Sequence, residues 1–299
     1  MAVDIPIEEP IFDKARALIE ALGYIQRFNE RIVVVKLGGS FMDNDDEFRQ
    51  VLTDIVFMHA VGMRPIVVHG GGKAITDAMK KAGLQAQFVQ GRRYTDERTL
   101  AIAEHVLCND INGFIVNTIN VLGGKAMPLT SLTSTALFAE KMYLAGEDGG
   151  KIDIGQVGQV TWVNAPLLKA LAEADFIPVI APIARDGAGE KLNVNADTAA
   201  GHVAAATKAD KLVLVSDTHG IREKKDDPSS LLRSITKAHI QKLIANKEIG
   251  EGMLPKVESC IIALDAGVKK AHIIDGRFPH ALLLEIYSDQ GVGTEILLG

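Results

Sequence analysis

Apolar residues along this chain fall into two rhythms that alternate from end to end. Ile32-Val33-Val34-Val35, Ile66-Val67-Val68, Ile177-Pro178-Val179-Ile180 and Leu212-Val213-Leu214-Val215 are short, apolar runs rich in β-branched residues. Runs of that kind are too short for helices and read as strands buried on both faces of a parallel sheet. Elsewhere apolar positions recur at helical spacing over about 46–61, 73–82, 237–246, 256–266 and 280–286, with further strands at Ala271–Ile274 and near 294–298. Thr95 is placed as the N-cap of a long helix reaching about 121, Asn164-Ala165-Pro166 opens another, and Asn193-Val194-Asn195-Ala196-Asp197 caps a third over about 198–207. Residues 125–163 read as short strands and turns broken at Gly146, Gly149-Gly150, Gly155 and Gly158, and 224–230 as a polar, mobile loop. The alternation predicts an α/β fold with a mostly parallel central sheet covered on both faces.

Residues 11–28 precede the first strand and are amphipathic, with Ile11, Ala15, Leu18, Leu22 and Ile25 near one face. Such a helix either packs against its own domain or serves as an arm exchanged with a neighbouring subunit. The chain's 299 residues suffice for one large domain or two lobes. A net charge of −6 leaves no basic surplus for general nucleic-acid binding, so any polyanion must be held locally by a few lysines and backbone amides. Cys108 and Cys260 lie in apolar-periodic stretches and read as reduced core residues of a cytoplasmic protein, with neither a disulfide framework nor a zinc site expected. No apolar run reaches membrane-spanning length, and the start of the chain, with Asp4, Glu8 and Glu9, lacks the basic opening of a targeting peptide.

The chemistry concentrates at two glycine clusters, each entered from a strand: Lys36-Leu37-Gly38-Gly39-Ser40 and His69-Gly70-Gly71-Gly72. Glycines at a strand-to-helix turn let backbone N–H groups close on an anion, and the helix end that follows adds partial positive charge. Two such turns in one sheet can hold two anionic groups close together, which points to group transfer between anions. The usual phosphate devices are absent. Gly72-Lys73-Ala74 and Gly124-Lys125-Ala126 lack the Ser/Thr that completes a P-loop, and no dinucleotide-binding glycine pattern follows a strand. Neither zinc-protease histidine spacing nor a serine nucleophile elbow occurs.

Lys36 ends a strand at the edge where doubly wound sheets bind ligands. Lys256 follows Gly250-Glu251-Gly252-Met253-Leu254-Pro255 at a helix start, where the helix dipole disfavours it unless an anion is near. Asp197 reads either as a helix cap or as a carboxylate between two lysines, and Asn193 and Asn195 share that ambiguity. Arg92 or Arg93 is solvated or presents a guanidinium fork to a carboxylate. Asp217 caps a turn or contacts a nucleotide, and His69 reads as a structural histidine.

Taken in order, Lys36-Leu37-Gly38-Gly39, His69-Gly70-Gly71-Gly72, Gly91-Arg92-Arg93-Tyr94-Thr95-Asp96, Asn193-Val194-Asn195-Ala196-Asp197 and Gly252-Met253-Leu254-Pro255-Lys256 resemble the amino-acid kinase family, within it the members that phosphorylate N-acetyl-L-glutamate for arginine biosynthesis. The resemblance implies a three-layer αβα sandwich with an oligomerisation arm over 1–29, an acyl-substrate lobe over 30–206 and an ATP lobe over 207–299. It implies Lys36 and Lys256 as catalytic lysines organised by Asp197. Gly71, Gly72, Arg93 and Asn193 would bind the acyl substrate. Gly39 and Gly72 would donate N–H groups to the transferring phosphoryl, and Gly38, Asp217, Gly220, Ile249, Gly250 and Gly252 would lie along the nucleotide. Magnesium would be held mainly by the nucleotide, with no protein metal site. Glu20–Phe28 and the stretch from His272 to Thr294 resemble arginine-inhibited, hexameric members, which implies a dimer or trimer of dimers and L-arginine contacts at Tyr24, His272, Glu285 and Gly293. Leu37, Ser40-Phe41, Lys73-Ala74 and Arg92-Arg93-Tyr94 stand where that family commonly has Tyr, Asn-Ala, Pro-Gln and Leu-Arg-Val. These positions border the acyl pocket. A sibling kinase acting on N-acetyl-aminoadipate, free or carrier-linked, is the first rival, because a pocket discriminates one methylene by only about 1–3 kcal/mol. A non-catalytic arginine or nucleotide sensor is the second.

Overall fold

The computed structural model describes residues 9–146, 149–288 and 291–299. The acidic start at Asp4 and Glu8 lies outside them. In chain order, α1 (Glu9–Phe28) leads into β1 (Ile32–Leu37), α2 (Asp45–Ala60), β2 (Arg64–His69) and α3 (Gly72–Lys81). The hairpin β3–β4 (Phe88–Val89, Arg92–Arg93) precedes α4 (Glu97–His105) and α5 (Asn112–Val121). Next come β5 (Ala126–Leu129), β6 (Leu137–Ala145), β7 (Lys151–Val163), α6 (Ala165–Glu173), β8 (Ile177–Ile180), β9 (Ile183–Arg185) and β10 (Lys191–Val194). The chain finishes with α7 (Ala196–Thr207), β11 (Lys211–Ser216), β12 (Ser234–Thr236), α8 (Lys237–Ala245), α9 (Leu254–Asp265), β13 (Lys270–Asp275), α10 (Ala281–Tyr287) and β14 (Thr294–Leu297).

Eight strands form one sheet in the order β12-β14-β13-β11-β1-β2-β8-β5. Its pairings are parallel except β13 with β14. The apolar runs alternate faces, as side chains on a strand must. Val33, Val35, Leu37, Val67, Val213 and Val215 pack toward α2, α5 and α10. Val34, Ile66, Val68, Leu212, Leu214 and Ile273 pack toward α6, α7, α8 and α9. The result is the expected α/β sandwich. Each fully buried Val, Leu or Ile contributes roughly 1.5–3 kcal/mol of apolar transfer, which is why the sheet's middle strands tolerate almost no polar residue. Lys36 is the exception on β1, only 5% exposed.

Helix starts follow local chemistry. Asn44 caps α2 by accepting from the Asp46 and Glu47 amides at 3.1 and 3.3 Å, and Asn164 caps α6 by accepting from Leu167. Four expectations need correction. The α4 cap is Asp96, which accepts from the Thr99 amide at 2.7 Å. The Thr95 hydroxyl instead donates to the Arg93 carbonyl. The long helix to residue 121 is broken by a π-helical turn at Val106–Ile111. Within 125–163 only β5 is a short strand: β6 and β7 span 9 and 13 residues and close a small barrel with β9 and β10. The segment 224–230 closes into a 3-10 turn at Pro228–Ser230, capped by Asp227.

Candidate active site

The strand order reverses between β1 and β11: β2, β8 and β5 lie outward on one side, β13, β14 and β12 on the other. Open parallel sheets bind ligands in the crevice at such a switch point, beyond the carboxyl ends of the strands. Here the three strands beside the switch end level, with Leu37 opposite both Val215 and His69. The turns that follow them are stitched together: Gly38 N–H donates to Val215 O at 3.1 Å, and Gly70 N–H to Leu37 O at 2.7 Å. Ser40 N–H donates to the Asp217 carboxylate at 3.2 Å. Gly39 adopts φ 122°, which disfavours any side chain, and a Cβ there would lie 2.8 Å from the Asp217 nitrogen. A Cβ on Gly38 would overlap the Lys36 ammonium itself. These glycines therefore let the turn pack against Asp217 and leave room for the Lys36 side chain.

Lys36 reaches across to Asp197, with Nζ 2.7 Å from Oδ1, while Lys256 Nζ stands 3.3 Å from Oδ2 of the same carboxylate. Asn195, not Asp197, caps α7, accepting from the Thr198 amide at 3.0 Å. That leaves the Asp197 carboxylate to face the lysines. Ser259, midway along α9, donates to the Asp197 backbone carbonyl at 2.5 Å and ties the start of α7 to α9. Burial lowers the Lys36 pKa, and Asp197 opposes that shift. Burial alone would raise the Asp197 carboxyl, but Lys36 and Lys256 outweigh it and hold the group below the usual carboxylate range. Two ammonium ions on one carboxylate leave a net positive charge in a largely dry site, where it acts at low effective dielectric. The starts of α3, α7 and α9 border the same cleft and add their dipoles. A buried pair like this contributes little net stability, since desolvation offsets the attraction. Its value is electrostatic orientation.

The cleft has a volume of about 610 Å³. Lys36, Gly38, Gly39, Gly71, Gly72 and Asp197 line its floor; Arg93 and Asn193 stand on its wall with Phe88, Leu107, Leu144 and Val157. Arg93 Nη2 donates to Gly72 O at 2.8 Å and to the Thr76 hydroxyl at 2.7 Å, and the guanidinium lies 4.9 Å from the centre of the Phe88 ring. Nη1 approaches Met79 Sδ at 3.3 Å, so both Nη2 N–H groups and one on Nη1 already have partners within the protein. Asn193 donates to the Thr95 hydroxyl at 3.3 Å.

The nucleotide-side positions are not all brought into that cleft. Asp217 lines an adjoining cavity of about 500 Å³ beneath Gly39 and Gly72. The Gly252 carbonyl receives Lys256 Nζ at 3.5 Å. Gly250 accepts from the Met253 and Leu254 amides, Ile249 packs on the core, and Gly220 lies against Thr294. Tyr24, His272 and Glu285 meet in a separate cavity of about 600 Å³ between α1 and the far ends of β11 and β13. Glu285 pairs with His272 Nδ1 at 2.6 Å and accepts from the Val292 and Gly293 amides at 2.7 and 3.0 Å.

Two groups escape the sequence reading. Lys211 lines the α1 cavity, 8% exposed and 5.0 Å from the Phe28 ring centre; burial pushes its pKa down to about 8. It opens a strand and looks like any charged strand end, so only the packing of α1 above it marks it out. Asn112 touches His69 from α5, and the π-helical turn that places it there has no sequence signature.

A switch-point crevice with two lysines on one carboxylate between glycine turns defines a phosphotransferase-like α/β site. The chain belongs to the amino acid kinase family, whose signature matches residues 31–275. An acetylglutamate kinase of Moorella thermoacetica is 46% identical over 290 residues, covering 96% of this chain and 98% of that one. One from Methanothrix thermoacetophila is 44% identical over 283 residues, covering 95% and 98%. Among solved structures, an N-acetylglutamate synthase from Neisseria gonorrhoeae superposes with a TM-score of 0.80 at 23% identity, covering 95% of this chain and 63% of its own. A Streptococcus mutans protein gives 0.73 at 26% identity, covering 90% and 99%. The protein is a kinase, and among the described residues no helix is long and apolar enough to cross a membrane.

Proposed function

We infer that this kinase transfers the γ-phosphoryl of ATP to the γ-carboxylate of N-acetyl-L-glutamate, giving N-acetyl-L-glutamyl 5-phosphate in the cytoplasm. The observation that carries the reading is the Asp197 carboxylate held between Lys36 and Lys256 at 2.7 and 3.3 Å beneath the two glycine turns. A γ-carboxylate with a pKa near ~4.3 is already ionised at neutral pH, so no general base is required. One of its oxygens bonds to the γ-phosphorus as the bond from that phosphorus to the bridging oxygen breaks, and ADP leaves with the electron pair. The barrier is the meeting of two anions, and positioning plus positive charge lowers it. Lys36, Lys256 and the Gly39 and Gly72 amides supply that charge, while Arg93, Asn193, Gly71 and Gly72 hold the acyl substrate. Gly38, Asp217, Gly220, Ile249, Gly250 and Gly252 border the nucleotide. This division gives 30–206 the acyl substrate and 207–299 the nucleotide. Magnesium, when bound, would neutralise phosphate charge, and it would be carried mainly by the nucleotide because the Asp197 oxygens already face Lys36 and Lys256.

The test is acyl-phosphate trapping. With ATP, magnesium and hydroxylamine, hydroxamate is expected from N-acetyl-L-glutamate and little from N-acetyl-L-aminoadipate. No product from any acid would leave the sensor reading standing, and product from the longer acid alone would favour the sibling kinase.

The cavity holding Tyr24, His272 and Glu285 supports feedback inhibition by L-arginine. Burial would raise the Glu285 carboxyl, but the His272 hydrogen bond and charge and the Gly293 and Val292 amides outweigh it and keep it low. Glu285 suits a guanidinium, and Lys211 suits the amino acid's carboxylate. Glu285→Gln is expected to raise the half-inhibitory arginine concentration at least about tenfold, the order of one charge-assisted hydrogen bond. Indifference of the unaltered protein to millimolar arginine would overturn this assignment alone. Helix α1 exposes Leu18 and Ile19 by 67% and 72%, which supports its use as an arm between subunits in a dimer or trimer of dimers.

A further inference from the structure

His69 has no role in the chemistry above, yet it is completely buried beside the second glycine turn, and desolvation pushes its pKa down to about 4. The ring is therefore neutral under working conditions and carries a single proton. Its surroundings decide where. The Asn112 amide nitrogen lies 3.0 Å from the Val179 carbonyl, which can only accept, and 3.1 Å from His69 Nε2. Nε2 must then be the acceptor, and the proton sits on Nδ1, 3.0 Å from the Gly70 carbonyl oxygen, to which it donates.

That bond fixes a direction. In a planar trans peptide the C=O and the following N–H point opposite ways, and the chain has no cis bond among the described residues. Holding the Gly70 carbonyl toward His69 turns the Gly71 N–H away from it, toward the cleft that both Gly71 and Gly72 line. Gly70 N–H is bonded to Leu37 O, whereas the Gly71 and Gly72 N–H groups meet no protein acceptor among the described residues. Asn112 reaches His69 because α5 begins directly after the π-helical turn Val106–Ile111. Removing the extra residue of that turn would swing Asn112 about 100° round the helix and off the ring. The same turn sets Ile111 and Leu107 against the Gly71 backbone, where a Cβ would collide with them.

We propose that His69 is a positioning residue for phosphoryl transfer: backed by Asn112, it locks the Gly70 carbonyl so that the Gly71 and Gly72 N–H groups stay aimed at the reacting groups. This rests on the transfer reaction inferred above. His69→Leu removes the donor while filling the space. His69→Asn places an amide nitrogen near the Nδ1 position and keeps it. The leucine variant is expected to lose about 30–100-fold in kcat with KM for the acyl substrate changed less than about threefold, the signature of donors aligned for the transition state. It is expected to weaken the ADP–aluminium fluoride complex in proportion while leaving ADP alone unchanged, and the asparagine variant to recover most of both.

Equal kcat in folded His69→Leu and unaltered enzyme, or equal losses in both variants tracking their melting temperatures, would overturn the proposal. So would ¹⁵N-histidine spectra of the unaltered protein showing the Nε2–H tautomer; Nδ1–H is expected, and this measurement stands if the leucine variant fails to fold. Failure of the unaltered enzyme to form hydroxamate would instead count against the transfer reaction, and so separates the two.

Discussion

Lys36→Ala is expected to leave a folded protein that binds ATP but turns over roughly 10²–10³-fold more slowly, the loss typical of deleting one preorganised donor to transition-state charge. The physical reason lies in what the ammonium does at rest and in reaction. At rest it is buried against Asp197, so its removal costs some stability, limited because Lys256 stays as a partner of that carboxylate. In the proposed reaction it stands at the level of the Gly38–Gly39 turn, where a Cβ on Gly38 would overlap it, and lines the cleft that would hold the reactants. Its contribution therefore belongs to kcat. Steady-state hydroxamate kinetics with a melting curve on the same sample separate the effects. Unchanged kcat would remove Lys36 from the mechanism.

Asp197→Asn is expected to be more damaging. The carboxylate lies 6% exposed between two lysines, and removing one member of a buried ionic cluster costs about 3–5 kcal/mol because the remaining charge has no partner. Two opposite pH trends should follow. Lys36 is already lowered by burial and by the nearby Lys256 charge, and loss of Asp197 lowers it further. Residual activity, which needs the charged amine, should then rise as pH falls through that depressed value. Stability should move the other way. Between the lowered folded value and the ordinary value of 10.5 the unfolded chain binds more protons, so the variant gains stability as pH rises. Parallel pH trends in rate and melting temperature would show that Asp197 acts through something other than the lysine charges.

The sheet and both glycine turns are legible in the sequence because their signals are local. A run such as Ile32–Val35 followed by Lys36-Leu37-Gly38-Gly39 carries strand, stop and turn within a few residues. The charge cluster is not local. Asn195 and Asp197 are equally good cap residues, and only the approach of Lys36 and Lys256 from distant strand and helix ends separates their roles. Thr95 and Asp96 pose the same problem in miniature. Asp96 takes the α4 cap, and Thr95 is drawn away by Arg93 and Asn193.

Glycine misleads in the barrel for a stated reason. Gly155 reads as a turn, but it sits inside β7 with φ 80°, against the Thr95 backbone, where the strand is irregular. A glycine inside a strand marks a bulge or close backbone approach as readily as a stop. The π-helical turn carries no comparable cue, so Asn112 and its contact with His69 emerge only from the folded chain.

The hydrogen bonds from Gly38 N–H to Val215 O and from Gly70 N–H to Leu37 O join three neighbouring strands where they end beside the cleft proposed for the reactants. Halves sewn together at that point cannot melt separately, since loosening either one tears the seam that the other depends on. Heat should therefore release the chain in a single cooperative step, and an occupant of either half should delay that same step.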